Sequence, residues 1–340
     1  ALDYGYIQAP IAGWTFRFGR QVANWANCFL TCDDRRDRIL AMKRFGGTTV
    51  ILLNDKRAST SDDETVQTKE GDLYVAAAVG MVKGWQWGLL GGYWWGEDGY
   101  ALKDVVAISP FIKGKFGNIA VEGAINILTN GDDDYAWYDD TDIAIYGKAS
   151  GDIGGMNLAG LLAYSKNGLI AGGFDSFTML VNNDADNNKS NVTAAEIGGS
   201  YGGLGGDEET TDIYLAAKLS GKVDKFGWAI STGYLNQEIT DATYLPAYAA
   251  YGIPNEIVTN YIGATPYGAD SYDAVVTADN IDMDMLFVEV SGTYAVSKTT
   301  ELYAGVAFGS IDGNITGDIT AVGSADADLD GVPDDVLTTA

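Results

Sequence analysis

Met285–Phe308 reads MLFVEVSGTYAVSKTTELYAGVAF. Leu286, Val288, Val290 and Tyr294 share one parity, while Glu289, Ser291 and Thr293 share the other. After a polar link at 297–300, Leu302, Ala304, Val306 and Phe308 alternate with Tyr303, Gly305, Ala307 and Gly309. Strand side chains alternate faces with period 2, so this stretch predicts an antiparallel hairpin with one apolar face and one small or polar face. A soluble sandwich buries the apolar face under a second sheet, whereas a membrane barrel turns it to lipid and encloses the polar face.

The connections along the chain decide between the two. About fourteen strands of roughly ten residues are expected, the length a tilted strand needs to cross a bilayer. Odd-numbered links are short: PIAG, FGG, KGW, KGKFG, SGDIGG, SGKVDK and AVSKTT. Even-numbered links are mostly long and many are acidic, at 55–72, 96–104, 129–142, 166–210 and 238–284, with 311–340 at the end. Tight turns on one side and long loops on the other are the pattern of an outer-membrane barrel; Greek-key connections have no reason to sort their lengths this way.

The strand faces agree. In the segment 119–128, Ile119, Val121, Ile125 and Ile127 oppose Glu122 and Asn126. In 211–219, Ile213, Leu215, Ala217 and Leu219 oppose Asp212, Tyr214 and Lys218. In 226–237, Phe226, Trp228, Ile230 and Tyr234 oppose Ser231 and Gly233. Tyr4, Tyr6, Trp14, Trp85, Trp87, Trp94, Trp95, Tyr164, Phe226, Tyr234 and Tyr294 lie near strand ends, where interfacial girdles form. The expected fold is therefore all-β, one transmembrane antiparallel up-and-down barrel over 1–340. If the short links are periplasmic, residue 1 starts on the outer side and Ala340 lies in an outer loop. Both ends would then call for flanking strands, giving sixteen or slightly more in the full protein.

Composition narrows the chemistry. The 340 residues carry a net charge of −26, which argues against nucleic acid as a partner because binding it requires a basic patch. With no histidine, Ser-His-Asp and Cys-His nucleophiles, histidine-bound zinc and ordinary haem attachment are excluded. No phosphate-cradling glycine motif sits between a strand and a helix. Neither an enzyme nor an organic cofactor is expected, although a carboxylate-pair hydrolase on a β scaffold remains a third reading. No run of about 20 apolar residues would make a membrane helix. Cys28 and Cys32, in NCFLTCDD, read as a small disulfide clip in an oxidising compartment, or as two free thiols.

WTFRFGRQVANWANCF followed by RRDRILAMKRFGGTTVILLNDKR, over Trp14–Arg57, resembles the strand–loop–strand passages of Gram-negative outer-membrane porins, and the architectural likeness extends along the whole chain. The resemblance implies a water-filled channel in the cell outer membrane, passive diffusion of small hydrophilic solutes and ions, contact with membrane lipid and lipopolysaccharide, and a homotrimer. It also implies a basic wall facing acidic loop residues. No P-E-F-G-G-like constriction signature is present. Arg17 opposes Trp14, Phe16 and Phe18 in parity, and Arg36, Arg38 and Arg44 share a parity. These arginines are the candidate wall, with Glu122, Lys218 and Glu289 as further pore-lining residues. The bland alternative pairs the arginines with Asp33, Asp34 and Asp37.

Two other segments attract attention. LIAGGFDSFTMLV, within 166–210, is too apolar to be fully solvated and either folds inward, packs over the rim or meets a neighbouring subunit. ADADLDGVPDD alternates Asp326, Asp328 and Asp330 before Gly331, with Asp334 following and the Val332 carbonyl at hand. This is the start of an oxygen cage for a structural Ca²⁺, although the bidentate glutamate of an EF-hand is missing. Acidity and this motif also fit a secreted, calcium-stabilised β-rich surface or adhesin protein, which would leave no lipid-facing band.

Overall fold

A computed structural model of the chain describes residues 5–58, 71–96, 103–129, 141–167, 177, 180, 209–242, 274–276, 278–316, 319–325 and 334–339. The strands are β1 (Gly5–Ile11), β2 (Trp14–Trp25), β3 (Thr31–Phe45), β4 (Thr48–Ala58), β5 (Gly71–Val82), β6 (Trp85–Gly96), β7 (Val106–Phe116), β8 (Ile119–Thr129) and β9 (Asp142–Ile153). They continue as β10 (Met156–Lys166), β11 (Glu209–Val223), β12 (Phe226–Ala242), β13 (Ala274–Val276), β14 (Ala278–Ala295), β15 (Glu301–Thr316), β16 (Ile319–Ala325) and β17 (Asp334–Thr339). Fourteen of them form one antiparallel sheet in chain order, with β12 pairing directly to β14; β13, β16 and β17 form a small separate sheet. Each of the fourteen expected strands is present. The segments 238–284 and 311–340, expected as loops, contribute strand residues as well.

Hairpin chemistry fixes the order. Two-residue turns join β1–β2, β3–β4, β5–β6, β7–β8, β9–β10 and β11–β12. Ala12 and Gly13, Lys83 and Gly84, and Gly154 and Gly155 have positive φ at both central positions, the geometry whose twist matches the flanking strands. The register is continuous from Phe226↔Tyr294 to Tyr234↔Leu286, so the faces read from the sequence carry across each pair.

One face is bare. Ile39, Leu52, Leu89, Ile108, Ile125, Ile145, Leu162, Leu215, Ile230 and Val290 are all exposed on it. On β6 the outward series is Trp85, Trp87, Leu89, Gly91, Tyr93 and Trp95, with aromatic rings at both ends and small or aliphatic residues between. Lys43 lays its ammonium 5.7 Å from the Trp14 ring centroid and 5.3 Å from that of Phe45, a cation on an aromatic belt beside a tight turn.

The other face is more apolar than its sequence parity implied. Tyr214, Leu235, Met283, Met285 and Phe287 are fully buried on it. With Tyr146 and Leu161 they belong to one buried cluster that also holds Phe29, Phe177 and Leu180, which come from connecting segments. Small and polar residues alone do not account for this interior: segments folded onto the wall give its apolar positions a partner. Burial of each large side chain contributes about 1.5–3 kcal/mol. Two aromatics assigned to the girdles also face inward. Trp94 packs on the core, and Tyr6 lies under Arg17 with 5.0 Å from guanidinium carbon to ring centroid.

Candidate functional site

The inner wall begins at β1–β4. Arg17 donates from Nε to Gln8 Oε1 at 2.9 Å, its direct cross-strand partner. Gly19↔Arg38 and Gln21↔Arg36 place Arg17, Arg38 and Arg36 at successive levels of one face. Arg38 is buried and donates to Asp34 Oδ2 and Asp55 Oδ2, both at 3.2 Å, and Arg36 reaches Asp34 Oδ1 at 2.9 Å. Arg36 and Arg38 thus pair with Asp34, one of the three acidic partners expected; Arg38 also pairs with Asp55, and Arg17 with Gln8. Arg44 shares the parity but sits at the tight-turn end, donating to Gly46 O at 2.9 Å. The opposite parity of β3 carries Ile39 and Ala41 in its middle and its charges toward the ends, so neither face of this strand is free of charge.

Glu122, Lys218 and Glu289 occupy the same face far along the sheet, on β8, β11 and β14. The register runs Lys113↔Glu122↔Lys148, with Lys113 Nζ 3.3 Å from Glu122 Oε2. Lys218↔Ser231↔Glu289 puts Lys218 and Glu289 two strands apart, about 10 Å by strand spacing. Glu289 is buried and accepts from Tyr303 Oη at 3.1 Å. The seven residues read from the sequence therefore share one face in two places, Arg17, Arg36, Arg38 and Arg44 on β2 and β3 and Glu122, Lys218 and Glu289 on β8, β11 and β14. Lys113 and Lys148 were missed; strand parity identifies both once the register is known.

Residues from two connecting stretches pack on the inner face. The first follows β2: Trp25, a short 3-10 turn at Ala26–Cys28, and Phe29. Ala26 and Cys28 are left-handed, at φ 53° and 69°. The Trp25 indole donates to Ser109 Oγ at 3.0 Å and Ser109 O at 3.1 Å; Ser109 Oγ donates to Asn126 Oδ1 at 2.8 Å; Asn126 Nδ2 donates to Phe29 O at 3.2 Å. β2 and β7 are five strands apart, roughly 24 Å along a flat sheet, so these bonds require the sheet to curl. Cys28 is disulfide-bonded; the side chain of Cys32 lies outside the described ones. A polar loop was expected here, and nothing local in NCFLTCDD marks the Phe29 ring as buried against the inner face.

The second segment supplies Phe177 and Leu180, from the apolar stretch expected to fold inward or over the rim. Phe177 is buried between two cations, 5.1 Å from Lys148 Nζ and 5.8 Å from Lys218 Nζ by ring centroid. Phe29 meets Tyr146, two positions before Lys148, at 4.6 Å between centroids. The inner face of β9 therefore receives both segments.

Asp326, Asp328, Asp330 and Val332 lie outside the described residues. Asp334 opens β17 opposite Ala325, so the acidic motif connects the two strands of a hairpin. Among the described residues no group of three or more acidic, cysteine or histidine side chains converges for a metal.

No family model matches the chain, and no curated protein does. Among solved structures, Pseudomonas aeruginosa OccK1 (OpdK) is similar at 12% identity and a TM-score of 0.47, over 92% of this chain and 74% of that one. OpdK with vanillate is similar at 12% identity and 0.46, over 91% and 73%. OccK7 (OpdD) from the same organism is similar at 8% identity and 0.45, over 91% and 73%.

Proposed function

We propose that this chain is an outer-membrane porin of a Gram-negative cell, a passive channel for small hydrophilic solutes and ions that performs no covalent chemistry. The observation that carries the reading is the exposed apolar band running over the fourteen-stranded sheet, edged by Trp85, Trp87, Tyr93 and Trp95 on β6. Contiguous apolar surface on this scale has a lipid or protein partner, and a water-soluble surface protein would not leave it bare. Inside, paired charges on the wall and two inward segments provide the polar lining and the narrowing that a selective channel needs. The acidic chain as a whole favours cations at the mouth, while Arg17 and the lysine belt hold anions locally.

The proposal extends to membrane lipid and lipopolysaccharide around the band, a homotrimeric assembly, a Cys28–Cys32 bond bracing the first inward segment, and a structural Ca²⁺ held by Asp326, Asp328, Asp330, the Val332 carbonyl and Asp334. Trimer and lipopolysaccharide contact follow from the porin resemblance of Trp14–Arg57.

Planar-bilayer recording of the purified chain tests the channel. Discrete open steps are expected, with larger conductance for Phe177→Ala. A detergent-folded protein that never opens a conducting path would refute it.

A further inference from the structure

The six two-residue turns and the link between β14 and β15 all lie at one end of the sheet. Within three residues of these joins, basic side chains outnumber acidic ones. Arg44, Lys115 and Lys222 stand on the inner parity, Lys43 on the outer one, and Lys83, Lys225 and Lys298 in the joins themselves. The acids there are Asp152, Asp224 and Glu301. A chain whose net charge is −26 is therefore positive along this rim. Among the described residues Lys43, Lys83, Lys225 and Lys298 make no ion pair, so their charge is not cancelled by a neighbouring carboxylate.

Outward-facing rings sit directly below these lysines in two places. Trp14 and Phe45 meet edge-on at 6.3 Å between centroids, and the Lys43 ammonium lies over both. Farther round, Phe226 stands opposite Tyr294 in the register, and both rings are exposed on the outer face. The Ala295 N–H donates to Lys225 O at 2.9 Å, which holds the β11–β12 turn against the end of β14. The N–H groups of Val296 and Ser297 both donate to Thr300 O, at 3.0 and 3.2 Å, closing the link that carries Lys298. Lys225 and Lys298 therefore crown two neighbouring hairpins beyond one exposed ring pair. Lys83 follows the exposed Met81 and Val82 in the same way.

We propose that this rim docks the headgroups of anionic phospholipids in the leaflet on the tight-turn side, with Lys43, Lys83, Lys225 and Lys298 as the contacts. The inference rests on the lipid reading of the exposed band and names the lipid class that the band meets at one edge. A lysine whose stem lies along apolar or aromatic surface keeps its ammonium at the water boundary, the depth at which a phospholipid carries its phosphate. Rings just below it meet the upper acyl chain. A zwitterionic headgroup brings its own ammonium to its phosphate, whereas an anionic one leaves that charge for the lysines. Each cation held near an anionic leaflet strengthens binding by about fivefold, and salt screens the effect.

The test folds the full chain into phosphatidylcholine vesicles containing either dibrominated phosphatidylglycerol or dibrominated phosphatidylcholine, and reads bromine quenching of tryptophan. Trp14 and Trp85 stand at this rim to report it. Phosphatidylglycerol should bind about fivefold more tightly than phosphatidylcholine, and the ratio should fall to about one in K43Q/K83Q/K225Q/K298Q. K225Q/K298Q alone should leave it at about twofold. Far-UV circular dichroism checks that each chain keeps its sheet; if the fourfold variant does not fold, K225Q/K298Q carries the comparison. Equal quenching by the two lipids, or a preference unchanged in a folded variant, would overturn the docking assignment and leave the channel reading intact. A chain that enters neither vesicle would overturn the lipid reading itself.

Discussion

One indole N–H joins Trp25 to Ser109 across 84 positions of sequence, reaching both the side-chain and the backbone oxygen of Ser109. Ser109→Ala removes the acceptor of one of these bonds and the donor to Asn126 Oδ1. The variant should lose about 1–3 kcal/mol in urea unfolding from detergent, because a buried amide oxygen is left without its donor. A loss within about 0.3 kcal/mol would mean that the tether does not hold the inward segment.

Gly88 on β6 is required by a ring. A Cβ there would lie 2.1 Å from Phe111 Cε1, and Phe111 stands edge-on to Trp25 at 5.2 Å between centroids. Gly88→Val should destabilise by about 1–3 kcal/mol as Phe111 is pushed from the tethered segment. Gly147→Ala is the control, since nothing lies within 4 Å of the added carbon. Thermal unfolding of the pair measures the difference, and equal stability would contradict the packing described.

The Arg38–Asp55 pair should behave differently from Lys113–Glu122. The first has side chains 1% exposed on both sides; the second is 49% and 22% exposed. Arg38→Met leaves Asp55 buried without its cation and should cost about 3–5 kcal/mol, with R38M/D55L recovering much of the loss. Lys113→Met should stay within about 1 kcal/mol, because water already screens that pair. Denaturant titrations at low and high salt distinguish the two pairs, only the second being expected to respond to salt.

The outward residues provide a direct test of lipid contact. Leu215→Arg and Val290→Arg place a cation in the middle of the exposed apolar band and should lower folding stability in bilayers by about 2–4 kcal/mol. The same change at Val223, beside the β11–β12 turn, should cost about 0–1 kcal/mol. A flat profile along β11 in vesicle-folding titrations would argue against a membrane around this face.

Much of the architecture was legible because period 2 and turn chemistry are local. Ile119, Val121, Ile125 and Ile127 needed no partner to be read as one face, and KGW or SGDIGG announced their turns unaided. Parity cannot say what an inward side chain will meet. Met283, Met285 and Phe287 belong to a buried cluster that also holds Phe29, Phe177 and Leu180, residues remote from them in sequence. The same limit hid Trp94, whose ring looks like any other strand-end aromatic until its side of the sheet is known. In the candidate site, alternation made it legible that Arg17 opposes Trp14, Phe16 and Phe18 and that Arg36, Arg38 and Arg44 share a parity. Asp34 was also legible, because it shares β3 with Arg36 and Arg38, whereas the pairing of Arg17 with Gln8 and of Arg38 with Asp55 depends on the cross-strand register, which no single strand encodes.

Nearly all pairing joins strands adjacent in the chain, so the sheet can lengthen one hairpin at a time from short-range encounters. The Trp25 tether is a contact of another kind, joining strands far apart in the sheet order. Its two acceptors, both on Ser109, are not in reach until β7 has been laid down and the growing wall has rolled far enough to bring them round. Docking of that indole is thus a late event, and it reports that the roll has reached its proper curvature.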